Sequence, residues 1–320
     1  MRRSEYGFSL IELLVAVAIF MIVSGTALDG VFRLTKTSRT VSNRSEMHAA
    51  VRNATELLQQ EVGQAGRVAL PTRVQFTAAS AAGSQTVTLK AVNAAGGTLS
   101  GVNPTRSIFV GERLTVDAGP NEETVTVTGV SPTNSQITAT FALTHAANAD
   151  VNANGGFFYG VIPMLNAGGG TFTNGSTGSV LKIVGDINSD GNLEYIEYSC
   201  DTTAGNLYRR TMAYDATSKP AISASMALLT NILPNPGGTA CFTYQQESVN
   251  NVPFVVDVAI TLTVETPDRD PQTGLFQRET KALLNVSPRN VFNVWQMAGL
   301  NITNRLQPLP ASVVTLMGLP

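Results

Sequence analysis

Apolar and polar positions divide the chain into three stretches. Residues 8–28, FSLIELLVAVAIFMIVSGTAL, are apolar almost throughout. At ~1.5 Å per residue they predict a helix of roughly 30 Å, the thickness of a bilayer's hydrocarbon core. Over residues 29–70 the apolar positions Met47, Ala50, Val51, Ala54, Leu57, Leu58, Val62 and Ala65 recur three and four apart. Asn53, Glu56, Gln60, Glu61 and Gln64 fall on the other faces. That spacing predicts an amphipathic helix with a core-facing stripe, stopped by Pro71. Residues 35–45 are polar and rich in Ser and Thr. If they too are helical, one helix of about 90 Å runs from residue 8 to about residue 69.

Beyond Pro71 the period changes from three-and-four to two, and no long helix is expected. VQFTA (74–78) and TVTLKA (86–91) alternate. SIFV, ERLTVDA, ETVTVTGV and QITATFAL follow within about 100–152, separated by Gly111, Gly119-Pro120, Gly129 and Pro132. Short strands with turn signals at this spacing predict a small antiparallel sandwich or barrel, inserted as a module or continuous with the rest of the sheet. After the glycine-rich NAGGGTFTNGSTGS come further strands, of which VDVAITLTVE alternates most strongly. The fold class is therefore α+β. The expected segments are a leader at 1–7, an apolar helix at 8–28, an amphipathic helix at 29–70 and a β-rich region at 71–160. A second β-rich region at 161–290 and a tail at 291–320 complete the chain. The tail is apolar in patches and would dock on the body or on a partner.

Composition removes some functions. Charged residues are only 14% of the chain, hydrophobic ones 43%, and the formal net charge is −2. A phosphate-binding surface needs clustered Lys and Arg, so nucleic acid is excluded as a partner. Catalysis also finds little support. His48 and His145 are the only histidines, and no Cys-His pair, Gly-x-Ser-x-Gly turn or phosphate loop accompanies them. The chain reads as a structural protein rather than an enzyme.

One letter is out of place in the first apolar run. Glu12 puts a carboxylate where a bilayer would surround it, at a cost of roughly 3 kcal/mol. With its neighbours it forms a motif: Gly7-Phe8-Ser9-Leu10-Ile11-Glu12-Leu13-Leu14-Val15-Ala16. This resembles the processing site of type IV pilin-like proteins. The resemblance implies cleavage after Gly7 by a prepilin peptidase, N-methylation of the new terminus Phe8, and a role for Glu12, the fifth mature residue, in assembly. There the carboxylate would pair with the terminal amine of its own or a neighbouring subunit, neutralising a charge that is costly in an apolar setting. It also implies a lollipop shape, the second half of the helix packed on the β-rich body. Arg2 and Arg3 keep the N-terminus cytoplasmic, placing the body beyond the inner membrane of a bacterium. Implied partners are the peptidase, other pilin or pseudopilin subunits and the inner-membrane assembly platform.

In an exported chain two cysteines read as one disulfide, Cys200–Cys241, with two buried free thiols as the other reading. A second motif, DINSDGNLEYIE at residues 186–197, matches an oxygen-ligand loop for Ca²⁺. Asp186, Asn188, Asp190 and Glu197 fall at its ligand positions and Gly191 at its sharp turn, and the expected ligand set also takes Asn192 and, at the ninth position, directly or through water, Glu194. Strand-like flanks exclude a helix–loop–helix hand, and a turn whose Asp and Asn side chains cap their own backbone fits as well.

Three functions are open. The first is a minor pilin of a type IV pilus, priming the filament or standing at its tip. The second is a pseudopilin of a type II secretion system. The third, of another class, is a membrane-anchored, calcium-dependent adhesin.

Overall fold

The computed structural model describes residues 9–163, 172 and 174–319. The expected leader, with Gly7, and Phe8 lie outside them, as does much of the glycine-rich stretch. The architecture is α+β, a long N-terminal helix followed by a β-rich body. The chain forms two compact units. One takes the N-terminal segment up to Ala50 together with Val264–Glu279, and the other takes Val51–Thr263 with Thr280–Pro320.

Helix α1 is Leu10–Gln64, 55 residues without a break, so the polar residues 35–45 continue the helix. It is about 80 Å long at ~1.5 Å per residue. In its C-terminal part Val51, Ala54, Leu58 and Val62 are buried, at the spacing of one helical face, and Ala65 just past its end is buried as well. Glu61, assigned to a polar face by spacing alone, is buried as well. The helix stops at Gln64 rather than near residue 69. The stop signal is Gly66, not Pro71. Gly66 has φ +83°, and a Cβ there would lie 2.9 Å from Val291 Cγ2. Only glycine takes this left-handed turn and this close approach without strain.

In the larger unit, six strands close into an antiparallel barrel in the order β1-β2-β5-β4-β3-β6. They are β1 Arg73–Phe76, β2 Gly83–Val92, β3 Arg113–Val116, β4 Glu123–Ser131, β5 Gln136–Phe141 and β6 Asp150–Ala153. Alternate residues point inward, as the period of two requires. Val74, Phe76, Leu89, Leu114, Val116, Val125, Val127, Ile137, Phe141 and Val151 fill the interior. The barrel thus includes the strands at 73–92 as well as those of 100–152.

Strand β7 (Gly156–Phe157) leads to a four-stranded sheet of order β11-β10-β9-β8, with β8 Val180–Gly185, β9 Glu194–Asp201, β10 Asn206–Ala213 and β11 Ala227–Thr230. A further sheet has β14 (Val252–Glu265) between β12 (Ile232–Leu233) and β13 (Phe242–Val249), and β15 (Arg278–Val286) also pairs with β14. The tail is helical: α2 Arg289–Gly299 and α3 Ala311–Gly318 flank β16 (Leu306–Gln307), which pairs in parallel with β7. Val291, Val294 and Ala298 of α2 pack with Phe254 and Val256. Val313, Leu316 and Met317 of α3 pack with Phe109, Phe157 and Val184. Both helices dock on the body. Cys200 of β9 is bonded to Cys241, just before β13, and so ties one sheet to the next.

Candidate functional site

The first site is the N-terminal turn of α1. Ser9 precedes the helix, and its backbone N–H donates to Glu12 Oε2 at 3.1 Å. This is one half of a capping box, in which the third helical residue reaches back to the residue before the helix. The carboxylate therefore lies over the helix start, where unpaired N–H groups and the helix dipole favour negative charge. Around it Leu10, Ile11, Leu13, Leu14, Ile19, Phe20, Met21 and Ile22 are all more than half exposed. The most apolar window of α1 has a mean hydropathy of 2.3 and is long enough to cross a membrane, and none of it is buried. A surface this apolar and continuous calls for lipid or protein to cover it. Gly7 and Phe8, the expected cleavage and methylation residues, lie outside the described residues.

The second is the segment 186–197. Asp186 is fully buried, and its Oδ1 accepts from Gly191 N–H at 3.0 Å. Asn188 Oδ1 accepts from Asp190 N–H at 3.1 Å, and Asp190 Oδ1 from Asn192 N–H at 2.7 Å. Each side chain thus holds the backbone a few residues on, and the loop is built from its own Asp and Asn residues. Gly191, at φ +79°, lies so close to Pro71 that a Cβ would come within 2.3 Å of Pro71 Cα. Asp186 Oδ2 has no hydrogen-bond partner, although Arg67 Nε stands 3.3 Å away. Asn192 Oδ1 accepts from Arg106 Nε at 2.5 Å. Glu194, half-buried at the start of β9, has its pKa raised, first by burial and then by the charge of Asp190.

Glu197 is not brought to this loop. It points to the opposite side of β9 and is buried among cations: Lys219 Nζ at 2.9 Å, Lys182 Nζ at 3.7 Å and the Arg210 guanidinium. Tyr195 also donates to it, at 2.5 Å. Burial pushes the Glu197 carboxyl up, but Lys219, Tyr195 and Lys182 outweigh it and hold the pKa below its usual value. Lys182 is pushed down, first by burial, with Lys219 and Arg210 adding to the effect. Among the described residues no group of three or more His, Cys, Asp or Glu side chains converges as a metal site would.

The two histidines sit in different settings. His48, on α1, pairs with Glu279 at 2.5 Å and stays half-exposed. His145 is buried between Glu123 (Nε2–Oε1 2.6 Å) and Asp117 (Nδ1–Oδ2 3.3 Å), with Phe76 and Phe141 edge-on to its ring. The carboxylates lie on opposite sides of the imidazole, so the three cannot share a metal ion, and the arrangement braces the barrel. These contacts join strands distant in sequence and left no local trace, except that Lys182 interrupts an otherwise apolar strand.

A family profile described as the prokaryotic N-terminal methylation motif matches residues 2–28. No curated protein and no solved structure matches the chain.

Proposed function

We propose that this chain, a type IV pilin-like protein by its N-terminal motif and long apolar helix, is a minor structural subunit of a bacterial type IV pilus. Prepilin peptidase would cut after Gly7 on the cytoplasmic face and methylate Phe8. The N-terminal part of α1 then holds the subunit in the inner membrane, and the assembly platform moves it into a filament with other pilin subunits. One observation carries this reading: the uncovered apolar surface that begins at Leu10 and contains Glu12. Such a surface is stable in lipid, and after assembly among the helices of other subunits. The contact with Ser9 N–H holds the Glu12 carboxylate at the level of the chain's new terminus, ready for a terminal amine. The bulk of the body after Pro71 favours a low-copy place, as primer or tip, over a repeating shaft subunit.

Mass spectrometry of the mature protein tests the class. An N-methylated Phe8 supports it, and a chain still beginning at Met1 overturns it. Gly7→Ala would leave the leader attached. Deletion of the gene decides between systems: loss of pili supports the pilus role, and loss of protein secretion with pili intact supports a type II pseudopilin.

For the loop at 186–194 we infer a calcium-binding role, which would also suit an adhesive tip. Support comes from the buried Asp186 Oδ2, which accepts no hydrogen bond and has only the Arg67 guanidinium beside it, from the turn held by Gly191, and from Asn188 and Asp190 in the loop with Glu194 at its end. Glu197 is left out of this ligand set, and Arg67 would give way to the ion. Bound Ca²⁺ would neutralise Asp186, Asp190 and Glu194 and stiffen the loop. The test is melting with Ca²⁺ and with chelator. A rise in Tm that is lost in Asp190→Ala but kept in Glu197→Gln supports the role, and indifference to chelator overturns it.

A further inference from the structure

The hairpin of β14 and β15 turns through residues 266–277 alongside α1, and its contacts give it a direction. Glu279, at the start of β15, pairs with His48. Farther out, Asp270 accepts from Thr40 Oγ1 at 2.6 Å, and Gln272 Nε2 donates to Thr37 Oγ1 at 3.0 Å. The hairpin therefore descends α1 toward its N-terminus, from His48 to Thr37, about 16 Å along the axis.

The turn at its end is tightly made. Asp270 is buried, accepts from Gln272 N–H and Thr273 Oγ1, and its own N–H donates to Leu275 O at 2.9 Å. These bonds fix the turn while leaving two apolar side chains outside: Leu275 is 67% exposed and Phe276 38%. The Arg269 guanidinium lies over the Phe276 ring, 5.2 Å from its centre.

The level of this turn along the helix matters. Beyond the apolar run that ends at Leu28, the exposed ion pair of Asp29 and Arg33 interrupts the surface of α1, and Val31, Phe32 and Leu34 are exposed around it. Thr37 is three residues beyond Leu34, about 4.5 Å along the axis, and Thr40, which meets Asp270 opposite Leu275, about 9 Å. Lys36 and Arg39 are exposed at the same level. An aromatic ring, an aliphatic side chain and basic groups gathered at the end of an apolar span are what a lipid interface accommodates: rings at headgroup depth, cations near lipid phosphates.

We propose that the β14–β15 turn, residues 269–276, is a foot that rests on the lipid headgroups of the membrane α1 crosses, with Leu275 and Phe276 entering the interface. This rests on the membrane-spanning reading of the N-terminal part of α1. The foot fixes how far the helix sinks into the bilayer and how it is rotated before the subunit leaves for a filament.

Site-directed spin labelling tests this on the full, processed chain in vesicles of phosphatidylcholine and phosphatidylglycerol. Both native cysteines are in the disulfide, so an introduced cysteine is the labelled one. Labels go on Leu275→Cys, on Leu14→Cys within the span and on Ser45→Cys farther up the helix. Collision with oxygen, which partitions into lipid, is compared with collision with a water-soluble nickel chelate. The expected oxygen-to-nickel ratio at position 275 is several-fold above that at 45 and below that at 14. A lipid-like ratio at 14 with equal ratios at 275 and 45 overturns the foot alone. A water-like ratio at 14 overturns the spanning reading and the foot with it. A label at 275 that is shielded only at high protein density assigns the turn to a neighbouring copy and also overturns the proposal.

Discussion

Glu61 on α1 and Arg209 on β10 form a buried, forked ion pair, with Arg209 Nη2 2.5 Å from Glu61 Oε1 and Nε 3.1 Å from both carboxylate oxygens. The Tyr198 hydroxyl donates to the same carboxylate, and burial, then the Glu61 charge, pushes the Tyr198 pKa up. Three polar groups from α1, β9 and β10 thus satisfy one another within an apolar stripe, which is the condition for placing a carboxylate there.

This arrangement predicts a loss of about 2 kcal/mol in Glu61→Gln, because Arg209 keeps some water contact while losing its charged partner. Tyr198→Phe alone should cost about 1 kcal/mol. Since both remove parts of one network, the double variant should lose less than the sum. Guanidinium unfolding of the full chain in detergent, monitored by circular dichroism, measures all three, and strict additivity would exclude the network.

Glu112 predicts a dependence on pH. It is fully buried, accepts only from Phe109 N–H at 3.2 Å, and its Oε1 has no partner. Burial raises its pKa well above the usual carboxylate range. A free glutamate ionises near ~4.3, so above that pH the unfolded chain releases a proton that the folded chain keeps. The stability Glu112 allows is thus complete below the unfolded pKa and falls as pH rises toward the folded one. Glu112→Gln, which keeps shape and neutrality, should match wild type at low pH and melt higher at pH 8. Melting curves across pH check this, and parallel curves for the two proteins would rule it out.

How far all this was legible depends on the range of the contacts. The helix was visible because its apolar stripe is local and periodic, and the Glu12 motif is contiguous. The helix stop was misplaced because Pro71 is a strong local breaker, whereas Gly66 acts through its approach to Val291 and Phe157, residues far along the chain. The ligand set at 186–197 included Glu197 by spacing alone. β9 begins at Glu194, and the alternation of a strand turns Glu197 to the side where Lys182, Lys219 and Arg210 wait. No local pattern announces three cations from separate segments.

The disulfide should matter to the body in proportion to the loop it closes. Cys200 and Cys241 are 41 residues apart, for which the chain-entropy argument gives about 4 kcal/mol at most. Measured values often fall short of this, so Cys200→Ser with Cys241→Ser should lose about 2–4 kcal/mol. Because the bond joins β9 to the segment entering β13, hydrogen exchange should rise first in β13 and least in the barrel. Denaturant midpoints with and without reductant give the magnitude, and an unchanged midpoint would show that packing alone holds the two sheets.

Substitution of Glu12 is expected to separate processing from assembly. Its carboxylate caps Ser9 N–H at the helix start, a contact worth about 1 kcal/mol or less on an exposed turn. Its loss would fray one turn without disturbing the rest of α1, so Glu12→Ala should still be cut after Gly7. What disappears is the negative charge beside the new terminus. A terminal amine entering an apolar setting would then go unpaired, at a cost of several kcal/mol, and a subunit bearing that cost should be excluded from filaments. Glu12→Gln keeps a group able to accept from Ser9 N–H but not the charge. If pairing is the role of Glu12, the Gln and Ala variants fail alike; if capping is, Gln is rescued. Sheared-filament fractions probed for each processed variant give the answer, and wild-type amounts of Glu12→Ala in them would end the pairing argument.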